Sequence, residues 1–237
     1  MNRPLFQLDP RLSVCASFVR EGAKLADVGT DHAYLPIWLV KNGKIASAIA
    51  ADVNIGPLRR AEKNIRKYHV EDKVVTRLSD GLETVFPVEA DDIVIAGMGG
   101  EMIVKILSAA PWVMDAGKQL ILQPMTAADK LRLYLEEKGF FVEKERAAID
   151  NKGLCYSAML VRYQPDCQRY GELFPYIGIL DGSTEESRAY LNKRADSLQR
   201  KAEGLKISGE REKAESFFRI VEKIRRVALY EEKEEKQ

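Results

Sequence analysis

The 237 residues carry 37 Lys and Arg against 36 Asp and Glu, so a net charge of +1 neither demands nor excludes a polyanionic partner. Hydrophobic residues at 46% and charged residues at 31% describe a globular chain with a sizeable core, as one large domain or a core with an appendage. No apolar run approaches a membrane span and Met1 to Pro10 forms no charged-then-apolar leader, so a cytoplasmic protein with no membrane partner is expected. Cys15, Cys155 and Cys167 are odd in number without a C-x-x-C pair, and there are only two histidines, His32 and His69. Neither a disulfide framework nor a metal site is expected.

Leu8 to Val19 reads as a first helix: Asp9-Pro10 suits a helix start, and Leu12, Cys15, Ala16 and Val19 share one face. Arg3, Arg11, Arg20 and Lys24 leave this end basic. Lys24 to Pro36, KLADVGTDHAYLP, then gives a short strand, a turn containing Gly29 and a helix resuming at Leu35 to Val40. Strand, tight turn and helix N-terminus make a cradle for a nucleotide-like ligand, with backbone N–H groups directed out of the turn. The turn is not the dinucleotide pattern G-x-G-x-x-G; it has one glycine between Asp27 and Asp31. Two carboxylates would repel a pyrophosphate and attract a cation. D-x-G-x-D therefore suits S-adenosyl-L-methionine (SAM), with its sulfonium and amino groups.

A second strand, Ile45 to Ala51, ends in Asp52-Val53-Asn54, where the acid is placed to accept both ribose hydroxyls of a bound nucleoside. The plainer alternative is that Asp52 caps the helix starting near Pro57. That helix, Pro57 to Tyr68, carries Arg59, Arg60, Lys63, Arg66 and Lys67, either an ordinary solvated face or a phosphate-contacting one. A third strand, Val74 to Leu78, runs into Ser79-Asp80-Gly81, where Asp80 could accept from an adenine amino group or hold the turn. Three successive strand tips thus end in carboxylates.

Asp92 to Ala96 is a near-continuous apolar strand of the buried parallel type, leading into Gly97-Met98-Gly99-Gly100 and a helix through Leu107. The strand Gln119 to Gln123 and the helix Ala127 to Lys138 follow. Phe140 to Arg146 and Cys155 to Tyr163 form a hairpin across Asp150-Asn151-Lys152-Gly153. The fold class is α/β: a doubly wound sheet ending in a β-hairpin, with ligands expected at the carboxyl ends of the strands. Residues 1–163 form this core and 164–183 an irregular bridge. Residues 184–237 form an antiparallel helical hairpin of coiled-coil type, with Leu191, Ala195, Leu198, Ala202 and Leu205 facing Ala214, Phe217, Val221, Ile224 and Ala228. Ile207 to Glu210 separates the two helices, and the tail EEKEEKQ reads as frayed. The hairpin caps the core by default; its outward Lys193, Arg194, Arg200, Lys201, Arg219, Arg225 and Arg226 permit a polyanion-gripping arm.

ADVGTDHAYLP, AADVN, LSDGL and IAGMGG, in this order and spacing, resemble the bacterial tRNA (adenine(22)-N(1))-methyltransferase family, the TrmK type, over nearly the whole chain. The resemblance implies a Rossmann-like SAM-dependent methyltransferase core, tRNA as partner, and a hairpin that helps dock it. It implies a cofactor site of Asp27, Gly29, Thr30 and Asp31 in the first motif and Asp52, Val53 and Asn54 at the ribose. Ser79, Asp80 and Gly81 lie on the adenine side, followed by Gly97, Met98 and Gly99. That last stretch lies where many nucleic-acid amino-methyltransferases carry an Asn/Asp-Pro-Pro-aromatic motif, absent here, so their catalytic scheme does not carry over. Adenine N1 has an in-plane lone pair and needs no base; alignment, and a carboxylate near the developing cation, would do the work. The catalytic candidates are His32 and Tyr34, to hold a flipped base, and Asp31, near the cationic product or the cofactor's amino group, unless Tyr34 packs in the core and His32 caps a helix. Arg11, Arg59, Arg60, Lys63, Arg66, Lys193, Arg194, Arg200 and Arg225 are the candidate RNA contacts. A monomer is expected. The rival readings are an NAD-linked oxidoreductase, which the missing glycine pattern disfavours, a non-catalytic tRNA-binding adaptor, and a methyltransferase for a protein or small molecule.

Overall fold

The computed structural model describes residues 5–166 and 169–229; Arg3, Cys167 and the tail EEKEEKQ lie outside the described residues. In chain order the elements are α1 (Pro10–Phe18), β1 (Lys24–Val28), α2 (Tyr34–Lys41), β2 (Ser47–Asp52), α3 (Ile55–Lys67) and β3 (Val74–Leu78). β4 (Asp92–Gly99), α4 (Gly100–Ala109), β5 (Gln119–Thr126), α5 (Ala128–Glu137), β6 (Phe140–Ile149) and β7 (Cys155–Tyr163) complete the core. The short α6 (Phe174–Ile177), α7 (Glu185–Ile207) and α8 (Arg211–Ala228) follow.

The strands form one seven-stranded sheet in the order β3-β2-β1-β4-β5-β7-β6. β1 to β5 are parallel, and β7 runs antiparallel to both β5 and β6. Side-chain alternation sorts the central strands into two cores. Ala26, Val28, Ile93, Ile95, Leu120 and Leu122 pack under α4 and α5, whereas Leu25, Val94 and Ile121 pack under α1 to α3. The chain leaves β1 toward β2 on one side and enters β4 on the other. The carboxyl ends of β1 and β4 therefore flank the crevice where the winding reverses, the usual ligand position in such sheets.

Several boundaries differ from the sequence reading: β2 runs Ser47–Asp52, β5 continues to Thr126 and β6 to Ile149. β4 continues through the expected glycine turn to Gly99, with register irregularities against β5 at Met98 and Gly99. The tight approach falls one residue later: a β-carbon on Gly100 would lie 2.2 Å from the carbonyl oxygen of Ala127. The bridge is not wholly irregular, since Phe174–Ile177 makes one helical turn with Pro175 near its start, where proline is tolerated. The helix after β2 begins at Ile55 with Asn54 as its N-cap residue.

α7 and α8 pack antiparallel across Leu191, Ala195, Leu198, Val221, Ile224 and Ala228, with Ile177 and Leu180 of the bridge in the same cluster. The hairpin is tied to the core by a buried ion pair. The Arg132 guanidinium on α5 donates to Glu145 Oε1 on β6 at 2.6 Å, to Ser157 Oγ on β7 at 3.2 Å, and to Tyr190 Oη on α7 at 3.1 Å. Glu145 Oε2 accepts from the Ile179 amide at 3.0 Å, and both charged side chains are fully buried. Burial opposes the charge on Arg132, but the adjacent Glu145 carboxylate prevails and holds the guanidinium above its ordinary pKa. Among the described residues no helix is long and apolar enough to cross a membrane.

Removing one partner of a buried pair strands the other charge, at a cost of ~3–5 kcal/mol. Arg132→Met is expected to lose about that much in urea denaturation, and the Arg132→Met/Glu145→Leu double variant to recover most of it. Equal losses in the single and double variants would contradict the assignment.

Candidate active site

Asp27 is the last but one residue of β1, on the face shared with Leu25, and is 5% exposed. Its Oδ2 accepts a 2.5 Å hydrogen bond from the Thr30 hydroxyl three residues on. Burial pushes its carboxyl up to about 6; the Thr30 bond opposes this, the Asp52 charge adds to it, and Arg11 offsets part. The turn that follows alternates through left-handed geometry at Gly29 (φ 74°), Asp31 (φ 47°) and Ala33 (φ 56°). The two non-glycine residues cost ~1–3 kcal/mol each, a load tolerated where surroundings fix the backbone, and often at functional sites.

The turn's amides are not all directed outward as the sequence suggested. Gly29 and Thr30 both donate to the Ala51 carbonyl on β2, at 2.8 and 3.0 Å. The amides of Asp31 and His32 find no acceptor among the described residues. Asp31 is exposed and bridges Arg60 of α3 at 2.6 Å and His32 Nε2 at 3.3 Å. Asn64 of α3 donates to the His32 carbonyl at 3.0 Å, fixing the turn from the same helix. His32 is not a helix cap, because Ala33 holds that position with no side-chain bond. Tyr34 is not core either: it is 41% exposed and stacks on His32 with ring centroids 5.1 Å apart.

These residues line a cleft of about 350 Å3 in which Asp27, Gly29, Thr30, Asp31, His32, Tyr34 and Gly97 come together. The volume falls in the range of small-molecule sites, ~300–1,000 Å3. Arg11 belongs to the same cleft. Its Nη1 donates to Gln123 Oε1 at 2.8 Å and its Nη2 to Asp9 Oδ2 at 3.3 Å. Gln123, fully buried within β5, also takes the Gly97 amide at 3.0 Å, linking Arg11 to the β4 backbone. Asp9, Leu12, Leu35 and Ala96 complete the wall and escaped the sequence reading. Asp9 had a visible signal, since its Oδ1 caps the Leu12 amide at 2.9 Å.

The remaining sequence candidates lie along the same carboxyl edge beyond this cleft. Met98 lays its side chain over Gly29, where a β-carbon would meet its Cε at 2.2 Å. Asp52 is not the cap of α3; its Oδ1 takes the Asn54 amide at 2.8 Å, while Val53 and Asn54 are exposed. Ser79 is buried and accepts from the Thr84 amide at 3.2 Å. Gly81 turns the chain at φ 59° and Asp80 is exposed, 3.9 Å from Lys105 Nζ. Gly99 lies against the Thr126 hydroxyl. Among the described residues no cluster of His, Cys, Asp and Glu could hold a metal ion.

Of the basic candidates, Arg59, Arg60, Lys63 and Arg66 are exposed along α3, beside the cleft. The hairpin set is more occupied. Half-buried Arg194 donates to the Tyr176 carbonyl at 3.2 Å. Arg225 reaches Gln199 at 2.6 Å, and Lys193 sits over the Tyr156 ring at 5.8 Å. Arg200 is exposed on α7 with no ion-pair partner among the described residues.

This fold, with an anionic cleft at the carboxyl ends of β1 and β4, defines a methyltransferase domain, and residues 8–159 match the family model of that description. The chain is 33% identical to the tRNA (adenine(22)-N(1))-methyltransferase of Bacillus subtilis, over 81% of this chain and 82% of that protein. It also superposes on a Streptococcus pneumoniae protein described as a candidate tRNA (m1A22) methyltransferase, solved with SAM: TM-score 0.76, 32% identity, 92% of this chain and 99% of the other. M. capricolum TrmK, solved with S-adenosyl-homocysteine (SAH), matches with TM-score 0.76 and 25% identity over 94% of this chain and 97% of that one. The chain belongs to the tRNA (adenine(22)-N(1))-methyltransferase family.

An acid whose pKa is higher folded than unfolded binds its proton more tightly in the native state, so it lowers stability as pH rises between the two values. For Asp27 that window runs from the ordinary 3.8 to about 6. The ligand-free Asp27→Asn protein is expected to gain stability relative to wild type through this window and to keep ~3 kcal/mol of the gain above it. Denaturant melts from pH 4 to 8 check this; a difference independent of pH would contradict it.

Proposed function

We propose that this protein transfers the methyl group of SAM to N1 of an unpaired adenine in the D-arm of tRNA, position 22. The observation that carries this reading is the charge of the cleft. Three carboxylates, Asp9, Asp27 and Asp31, face it together with one guanidinium, Arg11. That set fits an amino acid bearing an extra positive charge: Asp27 for the ammonium, Arg11 for the α-carboxylate, and Asp31 toward the sulfonium side. The exposed edge running through Asp52 and Asp80 is left for the adenosine. SAM supplies an electrophilic methyl group when bound.

The chain's own residues then need to align and to stabilise. N1 carries a lone pair, so no proton need be removed before transfer, and orientation of the base supplies most of the acceleration. The stacked His32 and Tyr34 rings offer that base a flat wall. Asp31 stands within reach of His32 and is placed to offset the positive charge that develops on the methylated ring. The exposed basic face of α3 lies beside the cleft and is proposed to take tRNA phosphates, with Arg59, Lys63 and Arg66 as contacts. The organisation into a catalytic core (1–163), a bridge (164–183) and a helical arm (184–237) is likewise proposed. Lys193 and Arg200 are the residues of the arm best placed to touch RNA.

Incubation with SAM and an unmodified tRNA transcript, followed by nucleoside mass spectrometry, is expected to yield 1-methyladenosine. Its absence from protein that still binds SAH would overturn the reading. A charged hydrogen bond contributes ~1.5–3 kcal/mol, so Arg11→Met is expected to raise the KM for SAM by about tenfold or more, with a smaller effect on the KM for tRNA. The Lys63→Gln/Arg66→Gln variant is expected to bind tRNA more weakly and with a shallower salt dependence, as loss of about two phosphate contacts requires. An unchanged salt slope would remove α3 from the interface.

A further inference from the structure

A second cavity of about 310 Å3 adjoins the cofactor cleft and shares Asp9, Leu12 and Tyr34 with it. Its remaining walls include Phe6, Leu8, Tyr68 and Lys67. Its aromatic rings continue the row that begins in the cleft, in tilted and edge-to-face contacts. From Tyr34 the run passes to Phe6 at 4.9 Å between centroids, and from Phe6 to Tyr68 at 5.2 Å in edge-to-face contact. Lys67 Nζ lies 5.4 Å from the Tyr68 centroid, where the row meets the basic face of α3. A chain of rings ending in a cation, beside a line of exposed arginines and lysines, is the arrangement that binds single-stranded nucleic acid. Bases stack on the rings while the backbone follows the positive charge.

Tyr34 divides the two chambers. The reacting adenine must share the first with the cofactor, because its N1 has to reach the methyl group. One base cannot fill both chambers. We infer that the second cavity holds the unpaired base of a nucleotide adjoining the target adenine, stacked against Phe6 and Tyr68, making these two side chains substrate-positioning residues. The inference rests on the tRNA reading above. It adds a requirement that at least two neighbouring nucleotides leave the helical stack when the complex forms. The cavity wall is mainly ring and aliphatic surface, so the subsite recognises a base by its face and tolerates different sequences.

The test compares wild type with Phe6→Leu and Tyr68→Leu on tRNA transcripts that are intact or abasic at each nucleotide flanking the target. Phe6 lies in the irregular segment before α1, so its variant keeps the comparison usable if Tyr68→Leu folds poorly. Each variant is expected to raise the KM for intact tRNA at least about fivefold while leaving the SAH dissociation constant unchanged. Tyr68→Phe is expected to behave as wild type. One flanking abasic substitution is expected to raise the wild-type KM by a similar factor and to add nothing further in the variants. Wild-type KM values in both variants, or abasic and side-chain effects that multiply, would overturn the inference. So would 2-aminopurine fluorescence that answers to Tyr68 at the target position and at neither neighbour. Loss of 1-methyladenosine formation in the wild type itself would instead remove the function reading on which the inference stands.

Discussion

One buried carboxylate sets the terms for the rest of the site. Asp27 is enclosed by the sheet and by α1, and its nearest stabilising group is the hydroxyl of Thr30. To deliver that hydroxyl three residues later, the chain turns back sharply through left-handed geometry at Gly29. The Ala51 carbonyl on β2 holds the turn by taking two of its amides, and α3 anchors its far side through Arg60 and Asn64. The strained turn thus persists because three separate elements over-determine it. Its product is a negatively charged cleft at the sheet's reversal point, a poor place for a phosphate and a good one for a cation.

Arg11 prevents that pocket from being merely acidic. It comes from α1, before the first strand, and is oriented by Gln123 within β5. The same glutamine oxygen holds the Gly97 amide, so one side chain ties the guanidinium to the β4 backbone. A zwitterionic ligand with an added positive charge meets complementary groups on both sides. The aromatic row from His32 to Tyr68 then extends the site sideways, away from the cofactor and toward the basic helix. On the proposed reading, cofactor, target and flanking nucleotide are ordered along one edge of the sheet.

Much of this was legible because it is local. The apolar runs of β1, β2, β4 and β5, the turn pattern D-x-G-x-D and the seam of α7 and α8 are each written in stretches of neighbouring residues. The acid at each of the first three strand tips was visible for the same reason. What was hidden depends on contacts between distant residues. Arg11 looked like one basic residue among several at a basic end, because nothing nearby in sequence indicates that Gln123 will meet it. Phe6 and Tyr68 are separated by the first two β–α units and become neighbours only when α1 and α3 settle on the same face. Nothing adjacent to Arg132 or Glu145 in the sequence marks a buried pair, whose partners come from β7, the bridge and α7. Asp52 was correctly placed at a strand tip, but the local bond to Asn54 could not be distinguished from a helix cap without the backbone path.

The account depends most directly on Asp27 being protonated when the cleft is empty at moderately acid pH and ionised when an ammonium group occupies it. Calorimetric titration with SAH near pH 5.5, repeated in buffers of different ionisation enthalpy, measures the protons exchanged on binding. The expected result is release of a substantial fraction of one proton in the wild type, with affinity rising as pH increases through about 6, and no such release in Asp27→Asn. Binding by the wild type with no proton release, at an affinity flat across that range, would contradict the claim that this buried carboxylate selects the cofactor's charge.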